Sequence, residues 1–401
     1  MRLQHFTLSA IAALTLAASP VLAQSNPEVK EKIDECRVEF CTSLYLTSID
    51  EMTTIPVEVL SLPSVTELRL RGSGITDIAL VAKMPWLRVL DISNTAVTDL
   101  SPLANLPALG RLYLGNTEIT DISVLAELTS LTDLSLSSTP ISDISPLATL
   151  KGLADLDISR TNVSDLSVLA SLPALQDLDL ERIPATDFSP LRSLHAILEI
   201  DLGKTAISDL SVLSNMVVLR TLELTETTVS DLTPLANLGT LHDLGLQGTS
   251  VTDLLPIADL AGLTRLDIDQ TGITDLFPIF ALGKLERLSL EETPVNDIFV
   301  VSVLPNLSDL KISNTRVTDI SALAGAQRLN LLSISNTQVS DISVLVNANL
   351  LTWLDASNSQ LSDVSALMNL EKLRTVYMRN TPAANGAQAA QLEAKGVSVR
   401  Q

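Results

Sequence analysis

One aspartate recurs every twenty-two residues through most of this 401-residue chain. It occupies fourteen positions: Asp77, Asp99, Asp121, Asp143, Asp165, Asp187, Asp209, Asp231, Asp253, Asp275, Asp297, Asp319, Asp341 and Asp363. A repeat of this length is typical of chains that stack one small unit many times, because a single unit cannot bury its apolar face alone. The chain is therefore predicted to form an elongated array rather than one central core.

Each unit contains a strand pattern followed by a tighter pattern. In the unit that starts at Leu87, Leu90 and Ile92 alternate with outward-facing positions, as in a strand with one buried side. Leucines then follow the aspartate at intervals of three, a spacing that favours a 3-10 turn. We expect an α/β solenoid with a parallel β-sheet on its concave face and short helical turns on its convex face.

The repeat L-x-x-L-x-L-x-x-T-x-V-T-D-L-S-P-L-A-x-L resembles the 22-residue leucine-rich repeat of the internalin and SDS22-like class, over about residues 62 to 382. The resemblance implies a leucine-rich repeat solenoid. The ninth position departs from the family, which usually has asparagine there; this chain has threonine, as at Thr95, Thr117 and Thr139. A threonine hydroxyl carries one donor and two lone pairs, so we expect it to take over part of the asparagine's hydrogen bonding.

The segments outside the repeats indicate export and capping. Arg2, an apolar run and the small residue Ala23 predict a secretory signal over residues 1–23, and hence a periplasmic or extracellular protein. Residues 24–61 are predicted to be an N-terminal cap, in which Cys36 and Cys41 form a disulfide in an oxidising compartment. Residues 383–401 are predicted to be a C-terminal cap, with a short alanine-rich helix before a last strand.

The charge of the chain limits its partners. With 26 basic and 47 acidic side chains, its formal net charge is −21. Binding to nucleic acid or to anionic lipid depends on clustered lysine and arginine, so neither is an expected partner. No later stretch has the roughly eighteen uninterrupted apolar residues of a membrane helix, so membrane insertion is not expected.

The recurrent aspartate has three interpretations. Its side chain can accept a hydrogen bond from the amide two residues on, such as Ser101 after Asp99, and so begin the helical turn. Proline often follows that residue, as at Pro102, where no amide is needed. A calcium ladder would need six to eight oxygens per ion, whereas each unit offers one carboxylate and a hydroxyl. We favour capping over a metal ladder or a catalytic row, and expect no metal centre and no cofactor.

The middle of the concave face is predicted to be strongly acidic. At the third, fifth, seventh and eighth positions of seven adjacent units, five bases stand against fourteen acids. The bases are Arg160, Arg182, Lys204, Arg265 and Arg287. The acids are Asp155, Asp157, Asp177, Asp179, Glu181, Glu199, Asp201, Glu223, Glu226, Asp243, Asp267, Asp269, Glu291 and Glu292. We interpret them as a ligand-binding surface for a basic protein, with a polyamine-like ligand, cations, or a merely solvated face as alternatives.

A second candidate surface lies on the convex face. Three neighbouring units have Leu255, Phe277 and Phe299 where serine is usual, and Phe280 replaces a recurrent alanine. Stacked in register, these four side chains would form an apolar patch for a partner or for self-association, as in a structural cell-envelope protein. Local packing is the alternative.

No pattern in the sequence indicates catalysis. His195 and His242 lie in different units, and neither has a cysteine or histidine at metal-ligand spacing. There is no Gly-rich phosphate loop and no nucleophile elbow. The sequence predicts a nonenzymatic binding scaffold.

Overall fold

The computed structural model describes residues 26–401, and the predicted signal segment lies outside them. Within the described residues, seventeen short strands form one parallel sheet in which each strand pairs with the next along the chain. Strands β1 to β17 are, in order, Ser43–Tyr45, Glu67–Arg69, Val89–Asp91, Arg111–Tyr113, Asp133–Ser135, Asp155–Asp157, Asp177–Asp179, Glu199–Asp201, Thr221–Glu223, Asp243–Gly245, Arg265–Asp267, Arg287–Ser289, Asp309–Lys311, Leu331–Ser333, Trp353–Asp355, Thr375–Tyr377 and Ser398–Arg400.

The pairing register places the same repeat position of neighbouring units side by side. Leu90 of β3 lies opposite Leu112 of β4, and Leu134 of β5 follows in the same row. These central leucines are buried, whereas the side chains before and after them point to the concave face. Every third and fifth position therefore belongs to a row of side chains that runs across the strands.

Short 3-10 helices line the convex face, as the spacing of three predicted. They span Val57–Ser61, Ala79–Lys83, Ser101–Asn105, Ser123–Glu127, Ser145–Thr149, Ser167–Ser171, Ser189–Ser193, Leu210–Leu213, Thr233–Leu235, Leu255–Ile257, Phe277–Ala281, Phe299–Val303, Ser321–Gly325, Ser343–Asn347 and Ser365–Asn369. At least one leucine, isoleucine or valine in each is buried against the strands, for example Leu103 and Leu125.

The recurrent aspartate precedes every one of these helices except Val57–Ser61 and bonds to its first turn, so the capping interpretation is confirmed. Each of the fourteen carboxylates accepts a hydrogen bond of 2.6–2.9 Å from the amide two residues on. Asp99, for example, accepts from the Ser101 amide at 2.8 Å. The hydrogen bond holds the pKa of Asp99 below its ordinary value. The spacing of the aspartates is therefore a property of the fold.

The ninth-position threonines form a buried row beneath the strand ends. The Thr95 hydroxyl donates to the Ile92 carbonyl at 2.6 Å, and the other threonines of this row donate in the same way to the carbonyl three residues back. Ser73 keeps this bond, whereas Ser359 has a buried hydroxyl without a partner among the described residues. A threonine thus replaces the family's asparagine by supplying a donor to one backbone carbonyl.

Both ends of the stack are covered. Helix α1, Pro27–Glu39, buries Val29 and Ile33 against the first units, and a disulfide joins Cys36 to Cys41 with a Cα separation of 4.9 Å. At the other end, helix α2, Ala387–Ala394, buries Leu392 beside β17. From residue 26 onward, neither helix is long and apolar enough to cross a membrane.

Candidate concave binding surface

Acidic side chains are stacked in register on the concave face between β6 and β9. Asp157, Asp179, Asp201 and Glu223 are successive register partners in the fifth-position row. Parallel strands lie about 4.8 Å apart, so successive carboxylates in such a row are close neighbours. The prediction of an acidic middle thus corresponds to a continuous row in the structure.

A parallel row follows the third position. Asp155 lies opposite Asp177, which lies opposite Glu199. None of the three carboxylates accepts a hydrogen bond or forms an ion pair with another residue in the part of the chain that the structure describes. We call these three side chains the third-position row.

The fifth-position aspartates also have a structural role that the sequence reasoning missed. The Asp179 carboxylate accepts the Glu181 amide at 2.8 Å, and Asp201 accepts the Gly203 amide at 2.7 Å. Asp157 and Asp267 make the same bond to the residue two further on, as do Asp91 and Asp355 outside the acidic segment. Aspartate recurs at the strand end in several units of the sequence, and this recurrence could have indicated the hydrogen bond to the turn. One oxygen of each carboxylate therefore stabilises the turn.

Burial and repulsion between like charges perturb the titration of these acids. Burial, then the neighbouring Asp177, raises the pKa of Asp155 to about 6. Burial, together with Asp157 and Asp201, raises the pKa of Asp179 to about 6 against the lowering effect of its backbone hydrogen bond. Burial and Asp201 raise the pKa of Glu223 to about 7. Burial raises the pKa values of Asp177 and Asp267 as well, with a further contribution from Glu199 at Asp177 and from Glu291 at Asp267.

Two of the acids predicted to face a ligand, Asp269 and Glu181, instead bind other side chains and amides of this protein. Asp269 is 9% exposed, and its carboxylate accepts hydrogen bonds from the Ser289 hydroxyl and the Glu291 amide. The prediction that Asp269 lies on the exposed surface is wrong, because its carboxylate is buried and hydrogen-bonds to the next unit. Glu181 forms ion pairs with Arg160 at 2.9 Å and Lys204 at 2.8 Å. These pairs hold the pKa of Glu181 below its ordinary value against the effect of burial.

The remaining predicted residues lie on or beside the concave strands. Asp243 is 3.4 Å from Arg265, and Arg287 is 3.9 Å from Asp309. Such exposed pairs are screened by water and contribute little to stability. Glu226, Glu291 and Glu292 belong to the turns that follow the strands, where Glu226 and Glu292 are exposed and Glu291 is half-buried.

The eighth position of each unit, three residues after the end of the strand, has a left-handed backbone. Its φ is 56° at Arg160, 60° at Arg182 and 56° at Lys204. This conformation brings the Cβ of an L-residue close to the following carbonyl oxygen, which is why glycine and asparagine are the usual occupants. In the acidic segment the row consists of Arg160, Arg182, Lys204, Glu226, Gly248, Gln270 and Glu292, whereas the units on either side have Gly72, Asn94, Asn116 and Ser138, and Asn314, Asn336, Asn358 and Asn380.

Comparison with known proteins supports the repeat class. A family model described as leucine-rich repeats (2 copies) matches residues 63–105, 85–127 and 107–149. An internalin (inlF) from Listeria monocytogenes is 29% identical, and the alignment covers 78% of this chain and 96% of that one, with a TM-score of 0.70. The chain has the leucine-rich repeat fold and is similar to the internalins. Among curated proteins no sequence match was found.

Two further solved structures share the fold of this internalin-like protein. A leucine-rich repeat protein from Leptospira interrogans is 19% identical and covers 92% of this chain and 98% of its own, with a TM-score of 0.78. The ectodomain of the plant receptor kinase GASSHO1/SCHENGEN3 from Arabidopsis thaliana, in complex with CASPARIAN STRIP INTEGRITY FACTOR 2, is 16% identical and covers 82% of this chain and 46% of its own, with a TM-score of 0.61. These likenesses concern the fold alone.

A recess interrupts the fifth-position row of the internalin-like protein at Gly245. It has a volume of about 450 Å³ and is lined by Glu223, Asp243, Arg265 and Asp267 among others. Gly245 has no side chain, and the Glu223 carboxylate extends into the space that a Cβ at residue 245 would occupy. The recess is open to the concave face.

Aromatic residues flank the acidic segment of the internalin-like protein. The Arg69 guanidinium lies 5.7 Å from the ring centroid of Tyr113 and 6.0 Å from that of Tyr45. Near the other end, the Trp353 and Tyr377 rings lie 5.6 Å apart. The aromatic side chains thus pack with residues of their own ends of the sheet.

The four apolar residues predicted on the convex face are exposed to solvent. Leu255 is 67% exposed, Phe277 72%, Phe280 48% and Phe299 67%. The Phe277 and Phe280 rings stack with centroids 5.9 Å apart. Leu255, Phe277 and Phe299 therefore remain more than half exposed to solvent, and Phe280 nearly half.

Proposed function

We propose that this protein is an exported, nonenzymatic scaffold that recognises a basic segment of another protein through its acidic concave face. The observation that carries the proposal is the third-position row. Its carboxylates make no hydrogen bond or ion pair with the residues that the structure describes, and burial and repulsion raise the pKa values of Asp155 and Asp177. Lysine or arginine side chains from a partner would offset that repulsion.

The rigidity of the array supports binding. Each strand of the acidic segment is hydrogen-bonded to both neighbours, and the turns are fixed by an aspartate and, except in the unit with Ile183, by a threonine. A surface held in this way loses little backbone entropy on association. A protein ligand bound to the same fold, as in the plant receptor complex, supports this use of a leucine-rich repeat surface.

Two features support export. The sequence pattern of residues 1–23 is that of a secretory signal, and the Cys36–Cys41 disulfide suits an oxidising compartment, either periplasmic or extracellular. The net charge of −21 would speed encounter with a basic partner and make binding dependent on salt.

The test uses a row variant, Asp155→Asn, Asp177→Asn and Glu199→Gln, which removes charge without removing a hydrogen bond of the fold. Its matched control, Glu118→Gln, Glu127→Gln and Asp259→Asn, removes three exposed carboxylates elsewhere. A purified partner captured by the native protein should be retained by the control, released by salt, and lost by the row variant. Equal retention by all three proteins, at low and high salt, would contradict the proposal.

The convex patch supports a second candidate, self-association as a structural envelope protein. Its exposed Leu255, Phe277 and Phe299 could pair with the same patch of a second copy. Light scattering of the native protein and of Phe277→Asp tests this. An oligomer that becomes a monomer on substitution supports the structural role, whereas a native monomer argues against it.

A further inference from the structure

The eighth-position row changes its composition at the same units as the strand acids. Asparagine or glycine occupies most left-handed turns outside the acidic segment, and within it Gly248 is the one such residue. Arg160, Arg182 and Lys204 occupy three consecutive turns, on the units that carry Asp157, Asp179 and Asp201. The basic residues of the turns and the acidic residues of the strands therefore occur in the same repeat units.

Asparagine occupies the eighth position in most units outside the acidic segment. In the outer units, the Asn116 side-chain amide donates to the Asn94 side-chain oxygen at 2.8 Å, and Asn380 donates to Asn358 at 2.8 Å. Asparagine thus suits the left-handed backbone and also bonds to the neighbouring unit. The three consecutive basic residues forgo the first advantage, and Arg182 forgoes the second as well, whereas Arg160 and Lys204 contact Glu181 of the unit between them.

Contacts within the protein account for only part of this exchange. Arg160 and Lys204 both form ion pairs with Glu181. Arg182 has no ion pair with any residue between 26 and 401, and it is exposed. The one carboxylate that pairs here, Glu181, contacts two of the three cations, so this row of turns keeps an excess of positive charge beside the acidic rows.

We propose that Arg160, Arg182 and Lys204 form a cationic edge of the recognition surface and bind carboxylates that the partner presents beside its basic segment. This inference rests on the proposed function of the acidic face. It adds that the partner's segment is amphoteric, with cations placed over the strand acids and anions over the strand ends.

The geometry fits a segment that carries both charges. The cationic edge follows the fifth-position row by three residues, a distance of roughly 10 Å along an extended chain. A small free anion would meet the negative field of the adjacent rows. A carboxylate attached to a segment that is already held by its cations reaches the edge at high effective concentration.

The test compares an edge variant with a charge-matched control. The edge variant is Arg160→Asn, Arg182→Asn and Lys204→Asn. The control, Lys83→Asn, Lys284→Asn and Lys372→Asn, removes three exposed cations from the convex helices and the turns that follow them. The probes are two fluorescent synthetic peptides of equal length, one of alternating lysine and glutamine and one of alternating lysine and glutamate. Affinities are measured by anisotropy at low ionic strength.

The edge substitutions should weaken the binding of one peptide and not of the other. The edge variant should bind the lysine–glutamate peptide roughly tenfold more weakly than the native protein, since three exposed charge contacts are lost. It should bind the lysine–glutamine peptide at least as tightly, because three repelling cations are gone. Equal binding of the lysine–glutamate peptide by native protein and edge variant, or the same loss in the control, would overturn the inference alone.

Two further outcomes distinguish a failure of this inference from a failure of the proposed function. If the native protein binds neither peptide, the proposed function fails and the cationic edge fails with it. The urea midpoint of Arg182→Asn, which breaks no ion pair, should equal or exceed that of the native protein, because asparagine adopts the left-handed backbone readily. A lower midpoint would mean that Arg182 serves the fold, and the inference would be wrong.

Discussion

Asp179 lies opposite Asp157 on the neighbouring parallel strand, and burial together with that carboxylate raises the pKa of Asp179 to about 6. The relationship extends through Asp201 to Glu223, whose pKa is raised to about 7. The concave face thus holds acids that would titrate near neutral pH.

Stability should rise as the pH falls from 8 to 5. The folded pKa values of Asp155, Asp179 and Glu223 lie above the ordinary values near 4, so between those limits the folded state binds more protons than the unfolded state. We expect a melting temperature a few degrees higher at pH 5 than at pH 8. A melting temperature that falls between pH 8 and pH 5 would contradict this reading.

The capping aspartates can be tested at Asp319, which accepts from the Ser321 amide at 2.8 Å. Asp319→Ala should lower the free energy of unfolding by about 0.5–2 kcal/mol, whereas Asp319→Asn keeps an acceptor and should have a smaller effect. Urea denaturation measures both. Equal effects of the two substitutions would show that the hydrogen bond is not what the aspartate contributes.

The threonine row predicts a contrast between two neighbouring units. Thr337→Val removes the hydroxyl that donates to the Ile334 carbonyl at 2.6 Å and should destabilise the protein by about 1–3 kcal/mol. Ser359→Ala removes a buried hydroxyl without a partner in the described chain, so it should be neutral or stabilising. If Ser359→Ala proves the more destabilising of the two, the hydroxyl of Ser359 has a role that this account lacks.

The recess at Gly245 should control the titration of Glu223. In Gly245→Ala the new Cβ would displace the Glu223 carboxylate toward solvent, and the pKa of Glu223 should fall from about 7 toward its ordinary value. Carboxyl-carbon NMR titration measures this. The control Gly152→Ala, where a Cβ meets nothing within 4 Å, should leave the titration unchanged. An unaltered pKa in Gly245→Ala would contradict the assigned cause.

The period of twenty-two residues was sufficient to predict the strands, the convex 3-10 helices and the aspartate caps. Each of these depends on contacts between a residue and its own or the adjacent unit, as Asp99 with Ser101 shows. The acidic rows also followed from the spacing, since register places equal repeat positions side by side.

The parts that escaped prediction depend on side-chain choices within a fixed register. Asp269 could equally have faced solvent, and its burial results from a bond to Ser289 of the next unit. The left-handed backbone at Arg160 was hidden because neither arginine nor lysine signals a positive φ. The close approach of Glu223 to Gly245 could not be predicted, because the sequence does not show that the Glu223 side chain extends over residue 245 rather than away from it.

The central claim is that the third-position row binds basic side chains, and the most direct measurement is the affinity of the lysine–glutamine peptide at pH 8 and pH 5.5. The native protein should bind more tightly at pH 8, because acids with raised pKa values such as Asp155 lose their charge at the lower pH. The row variant should bind roughly tenfold more weakly at pH 8 and depend less on pH. Equal affinities of the native protein and the row variant at pH 8 would contradict the claim.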